Sequence, residues 1–142
     1  MEENYPGDEI FDRIETLCEQ GEAHLENGQT RTALQKFKKA FKLLPAPQKS
    51  YPTGTWLLTM MGDIHFSMEK YSAAFQRFRD ALEFPEGSSS PFIQLRLGQA
   101  ALETNELALA KEHLQLAVDA EGLKIFDDEN PKYLQFLESK TN

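Results

Sequence analysis

The side chains best able to do chemistry in this chain are three histidines, one cysteine and a surplus of carboxylates. His24 and His65 would suit a metal ion if the fold stacked them, since neutral imidazole is a common ligand. The competing reading is two packed imidazoles inside a helical core, and it is the favoured one. Asp127-Asp128-Glu129-Asn130 offers hard oxygen donors. It lacks the alternating ligands, the glycine and the distal glutamate of a calcium loop, so it reads as an acidic turn with Asn130 capping the next helix. Cys18 is the only cysteine and can build neither an intramolecular disulfide nor a thiolate metal cluster. There is no glycine-rich phosphate loop, no GxSxG and no HExxH. The expectation is a protein without catalytic residues, metal or cofactor, and not an enzyme.

Charge narrows the partners. The 142 residues carry a formal net charge of −8, with 40% hydrophobic residues. Duplex nucleic acid and anionic membranes both need a positive surface, so neither is expected as a partner. A basic or amphipathic protein segment is. Lys36, Lys38, Lys39 and Lys42, with Arg77 and Arg79, form a basic stretch that reads as a solvated outer face. The opening MEENYPGDEIFDRI is acidic and broken by Pro6-Gly7, unlike a secretory signal. No apolar run reaches membrane-spanning length. A cytoplasmic protein is expected.

The elements that would position these groups are legible from repetition. Leu17, Gly21, His24, Ala33, Phe37, Ala40 and Pro45 align with Leu58, Gly62, His65, Ala74, Phe78 and Ala81, and again with Gln94, Gly98, Ala101, Ala110, Leu114 and Ala117. From each glycine, the gaps to the three later landmarks are identical. Gly21 and Gly62 lie 41 residues apart, and Gly62 and Gly98 lie 36 apart. Leu34, Phe37, Phe41 and Leu44 share one helical face, as do Phe75, Phe78 and Leu82. Thr30 is a candidate cap for a second helix after Asn27-Gly28, while Ser90-Pro91 and Asn130-Pro131 are further helix starts. The pattern predicts six paired helices and a short seventh, with Tyr133, Leu134, Phe136 and Leu137 covering the last pair.

These landmarks resemble the tetratricopeptide repeat, a helix pair of about 34 residues with the pattern W-x2-L-G-x2-Y…A-x3-F…P. The resemblance implies an all-α superhelix of three helix-turn-helix repeats and a C-terminal capping helix. Residues 1–142 then form one domain, with repeats over about 14–47, 55–88 and 91–124 and a cap over about 131–139. The extra residues fall in the turns between repeats. His24 and His65 occupy the position where the family usually carries an aromatic ring.

The resemblance also implies a concave groove lined by the first helix of each repeat. Carried over by position, the partner-binding residues are Glu15, Glu19, Glu22 and Glu26, then Trp56, Met60, Asp63 and Phe66, then Phe92, Leu95, Arg96 and Gln99. Cys18, Leu25, Thr59, Ser67, Leu102 and Glu103 fall in the same set. One end is a carboxylate cluster, and the remainder is rich in aromatic and aliphatic side chains of the kind that form interface cores. Some of these rings could instead be inter-helix core or lie under the C-terminal segment. The subfamily that grips acidic chaperone tails uses Lys and Asn at clamp positions. Here those read Cys18, Glu22, Met60, Phe92 and Arg96, and only Arg96 fits.

The expected function is non-catalytic protein binding by an acidic and aromatic groove. Residues 90–99 and 124–137 are similar to small bacterial repeat proteins that act as immunity proteins of polymorphic toxins. That likeness implies occlusion of a toxin. A secretion-type chaperone or general adaptor holding a basic or amphipathic peptide is the alternative, and a self-assembling scaffold is a third. A monomer or weak dimer is expected.

Overall fold

A computed structural model describes residues 8–139, of which Asp8 is described by its backbone alone; the Pro6-Gly7 stretch lies outside them. Among the described residues there are seven α-helices: α1 (Asp8–Glu26), α2 (Thr30–Leu43), α3 (Pro52–Ser67), α4 (Tyr71–Ala81), α5 (Pro91–Glu103), α6 (Leu107–Glu121) and α7 (Pro131–Glu138). Short 3-10 turns at Gln48–Ser50 and Leu123–Phe126 lead into α3 and α7. The helices pair as α1–α2, α3–α4 and α5–α6, and α2 packs on α3 as α4 packs on α5. The result is the expected all-α stack of three helix-turn-helix units closed by α7.

One contact recurs in every pair. The bulky residue of the second helix lies directly over the glycine of the first: Phe37 on Gly21, Phe78 on Gly62, Leu114 on Gly98. A Cβ at those glycines would stand 2.7, 2.7 and 2.6 Å from the covering side chain. Phe37, Phe78 and Leu114 are fully buried, flanked by Ala33, Ala40, Ala74, Ala81, Ala110 and Ala117, also fully buried. The small residues let the helix backbones approach, and the rings fill the space between them.

The turns inside the pairs repeat as well. Gly28, Glu69 and Asn105 occupy equivalent places and adopt φ of 75°, 60° and 63°. Glycine takes this left-handed conformation freely, asparagine tolerates it, and glutamate is strained by it. Helix starts are mixed in their chemistry. Ser90 Oγ accepts from the Ile93 amide at 3.2 Å, and Asn130 Oδ1 accepts from Lys132 at 2.9 Å. Thr30 does not cap α2: it is already the first helical residue, Gln29 holds the cap position, and no side-chain cap bond forms.

Of the histidines, His65 and His113 are buried, while His24 is not. His24 is half-buried and its Nδ1 lies 2.7 Å from Gln29 Oε1. His65 is buried with Nδ1 unpartnered, and burial together with nearby Arg77, Lys38 and Lys70 lowers its pKa and favours the neutral ring. Among the described residues no group of three or more His, Cys, Asp or Glu is arranged to hold a metal.

At the far end α7 lies over the last pair. Tyr133 and Phe126 join Leu95, Leu114 and Ala117 in a second apolar cluster, with Leu134, Phe136 and Leu137 packed against it. Two measurements check this account by urea unfolding. Gly62→Ala forces the Phe78 ring off its seat and should lower stability by about 1–3 kcal/mol. Glu69→Gly relieves the left-handed turn and should raise it by about 0.5–1 kcal/mol.

Candidate functional site

The first helices α1, α3 and α5 share one face, and it divides into two unlike halves. In the α1–α3 half a cleft of about 350 Å³ is lined by Phe11, Ile14, Glu15, Cys18, Thr53 and Trp56. Trp56 is 37% exposed and meets the buried Phe37 edge-on at 5.7 Å, so its base is fixed while its outer face is open. Met60 is half-buried against the core. Glu15, Glu19, Glu22 and Glu26 are all exposed, and none forms an ion pair or side-chain hydrogen bond among the described residues. Their field is felt at Cys18: burial first, then Glu22, Glu15 and Glu19, push the thiol up to about 11. At neutral pH it is a thiol, not a nucleophilic thiolate.

The α3–α5 half is closed by the chain itself. Arg96 donates from Nε to Asp63 Oδ1 at 3.1 Å, and from Nη1 to Gln99 Oε1 at 2.6 Å and Glu129 Oε1 at 3.0 Å. Gln99 Nε2 donates to the same Glu129 oxygen at 2.7 Å. The guanidinium lies 5.1 Å from the Phe66 ring centre and 4.7 Å from that of Phe92, a cation held by two π faces and two carboxylates. Burial raises the pKa of Asp63 despite the opposing pull of Arg96. Beside this node, Glu103 accepts from the Tyr133 hydroxyl at 2.5 Å and pairs with Lys132 at 2.6 Å. Burial would raise the Glu103 pKa, but these two hydrogen bonds outweigh it and lower it.

The twelve residues picked out by repeat position therefore do different things. In the α1–α3 half, Glu15 and Trp56 line the cleft, Glu19, Glu22 and Glu26 are exposed along α1, and Met60 is half-buried against the core. Asp63, Phe66, Arg96 and Gln99 build the node under the C-terminal segment. Gln99 is 0% and Leu95 2% exposed, both removed from solvent by that segment. Phe92, 36% exposed, stays at the surface beside Phe78. The aromatic residues do not form one cluster. Trp56 meets Phe37, Phe66 meets Tyr71 and Phe92 meets Phe78; Trp56 and Phe66 stand ten residues apart along α3, and Arg96 lies against both Phe66 and Phe92.

Sequence reasoning missed Glu129, Lys132 and Tyr133 as groove residues. The acidic turn is not merely solvated: Glu129 turns inward. The available signal was Arg96 itself, a lone cation among apolar groove positions that needs a carboxylate when desolvated.

No protein-family model and no curated protein matches the sequence. Solved structures do. The type III secretion chaperone SycD of Yersinia enterocolitica, solved with a peptide of the translocator YopD, is similar with a TM-score of 0.69 at 19% identity, over 89% of this chain and 91% of that one. The first TPR of Spaghetti (RPAP3), bound to an HSP90 peptide, gives 0.71 at 20% identity over 90% and 95%. The TPR-containing domain of a Plasmodium falciparum FK506-binding protein gives 0.74 at 15% over 95% and 90%. The chain has the tetratricopeptide-repeat fold. In this TPR fold the last first-helix, α5, carries the node, so one substitution reads it. Glu129→Ala leaves Gln99 Nε2 buried without its acceptor and should destabilise the protein by about 1–3 kcal/mol in urea unfolding, with the helical circular dichroism of the native state retained.

Proposed function

We propose that this chain is a non-catalytic module that holds a basic or amphipathic peptide segment against the α1–α3 half of its groove, as a secretion-type chaperone or adaptor does. The observation that carries the reading is the open cleft at Trp56 beside four exposed glutamates that have no cationic partner among the described residues. An apolar side chain of the ligand enters between Phe11, Ile14 and Trp56, and its lysines or arginines meet Glu15, Glu19, Glu22 and Glu26. Met60 floors the approach, and Phe92 extends it past the Arg96 node. Asp63, Phe66, Leu95, Arg96 and Gln99 serve by seating the C-terminal segment.

Two structures of the same fold hold peptides, one from a translocator and one from HSP90, and this supports peptide holding over other uses of the face. An acidic peptide such as SRMEEVD, the one in the Spaghetti complex, suits this chain poorly. Arg96 is already taken by Glu129 and Asp63, and the remaining groove charge is negative. Toxin occlusion is a narrower form of the same reading, resting on the likeness of residues 90–99 and 124–137 to immunity proteins. The peptide-holding form has the broader support. Neither nucleic acid nor membrane is proposed as a partner; no helix of the described residues is long and apolar enough to cross a bilayer. A cytoplasmic monomer or weak dimer completes the proposal.

The test is a synthetic peptide array spanning basic, neutral and acidic amphipathic sequences, probed with the native chain and with a Trp56→Ala, Glu22→Lys variant. Basic amphipathic peptides should bind the native chain, perturb the fluorescence of its only tryptophan, and lose about 2 kcal/mol or more of affinity in the variant. Equal binding by native chain and variant would remove this face from the function.

A further inference from the structure

A second cleft, larger than the one at Trp56, has three basic residues and one acidic residue in its lining. It has a volume of about 600 Å³ and is lined by α1 and α2 alone. Leu17 and Leu43, both half-buried, form its apolar floor. Arg13, Lys39 and Lys42 stand at its rim and are exposed, and none of the three is paired with a carboxylate among the described residues. Asp12 is the one acidic residue in the lining, so the rim keeps a positive balance.

The periodicities identify what shape belongs there. Arg13, Leu17 and Gln20 follow i, i+4, i+7 on α1, and Lys39, Lys42 and Leu43 follow i, i+3, i+4 on α2. Two neighbouring helices presenting such rows form a groove for a third helix. At the other end of the stack the chain fills the corresponding kind of opening itself: α7 lays Tyr133, Leu134, Phe136 and Leu137 on the last pair. At the first pair, no described helix does so.

We propose that the α1–α2 cleft is a docking slot for an acidic amphipathic helix of a partner protein. Charge complementarity selects that occupant. The leucine row of such a helix would cover Leu17 and Leu43, and its carboxylates would reach Arg13, Lys39 and Lys42. A second copy of this chain docked through the same face would set these cations against their own duplicates, which is repulsive. The basic stretch on α2 thus divides: Lys39 and Lys42 serve the slot, while the charge of Lys38 is felt at His65. The surface does not depend on the groove reading, since it lies on a different flank of α1 from Phe11, Ile14 and Cys18.

The experiment uses the full chain and a fluorescein-labelled synthetic helix with leucines at i, i+3, i+4 and i+7 and glutamates elsewhere, read by anisotropy. A counterpart with lysines replacing the glutamates is the control. The acidic helix should bind the native chain, while the lysine helix, a ligand for the α1–α3 half under the proposed function, should bind K39E/K42E no less well than the native chain. Affinity for the acidic helix should fall about tenfold or more in K39E/K42E and weaken with added salt. Lys39 and Lys42 are solvent-exposed, so the fold should persist by circular dichroism; the milder K39Q/K42Q guards the result and should show a smaller loss in the same direction. The Trp56→Ala, Glu22→Lys variant should bind the acidic helix like the native chain. Absence of binding to the native chain, undiminished binding in K39E/K42E, or loss only in the groove variant would each overturn the proposal. So would native self-association in sedimentation velocity that K39E/K42E abolishes, since the slot's occupant would then be a second copy.

Discussion

The close approach of paired helices over a glycine is the constraint on which the rest of this structure depends. Gly21, Gly62 and Gly98 each accept a bulky side chain into the place a Cβ would occupy. That contact sets the distance between the helices of a pair and, with the flanking alanines, buries the rings completely. Because it recurs in register, each pair offers the next a similar surface, and the first helices are brought onto a common face. A repeat stack of this kind is held by neighbour contacts alone, so its ends must be dealt with separately.

The two ends are treated differently, and much of the chemistry follows from that. At the C-terminal end α7 covers the last apolar surface, and the turn before it carries Glu129 down to Arg96. A guanidinium in this half-buried position is costly unless its donors are satisfied. Asp63, Gln99 and Glu129 accept from Nε and Nη1, and the Phe66 and Phe92 rings lie against the cation. The same bonds that seat the C-terminal segment remove this arginine from the list of groups a ligand could use. At the N-terminal end, the outer flank of the first pair is uncovered among the described residues.

Charge is consequently sorted over the surface. The open half of the groove carries four carboxylates without counter-charges, and the flank of the first pair carries three cations without them. The net charge of −8 conceals this separation. Surfaces of opposite sign on two flanks of α1 can attract different partners, and each disfavours the partner of the other by like-charge repulsion.

The sequence by itself determined the helices and their pairing. The Gly…Ala…Phe…Ala register recurs three times, and a helix face is fixed by local spacing, so Leu34, Phe37, Phe78 and Leu114 could be placed in the core without coordinates. The Ser90 and Asn130 caps were legible for the same reason, being bonds across two or three residues. The burial of His65 and the covering role of residues 133–137 also followed from repeat position and an apolar tail, whereas His24 is only half-buried. What only the tertiary structure decided was which groove positions remain open. Asp63 and Arg96, like Arg96 and Glu129, are separated by thirty-three residues, and Gln99 and Glu129 by thirty. No local spacing signals such contacts. Repeat position brought Leu95 and Gln99 to the groove correctly but could not say that the chain's own end would cover them. The slot beside Leu17 and Leu43 was invisible for a related reason: a basic stretch read along one helix looks solvated until a second helix is set next to it.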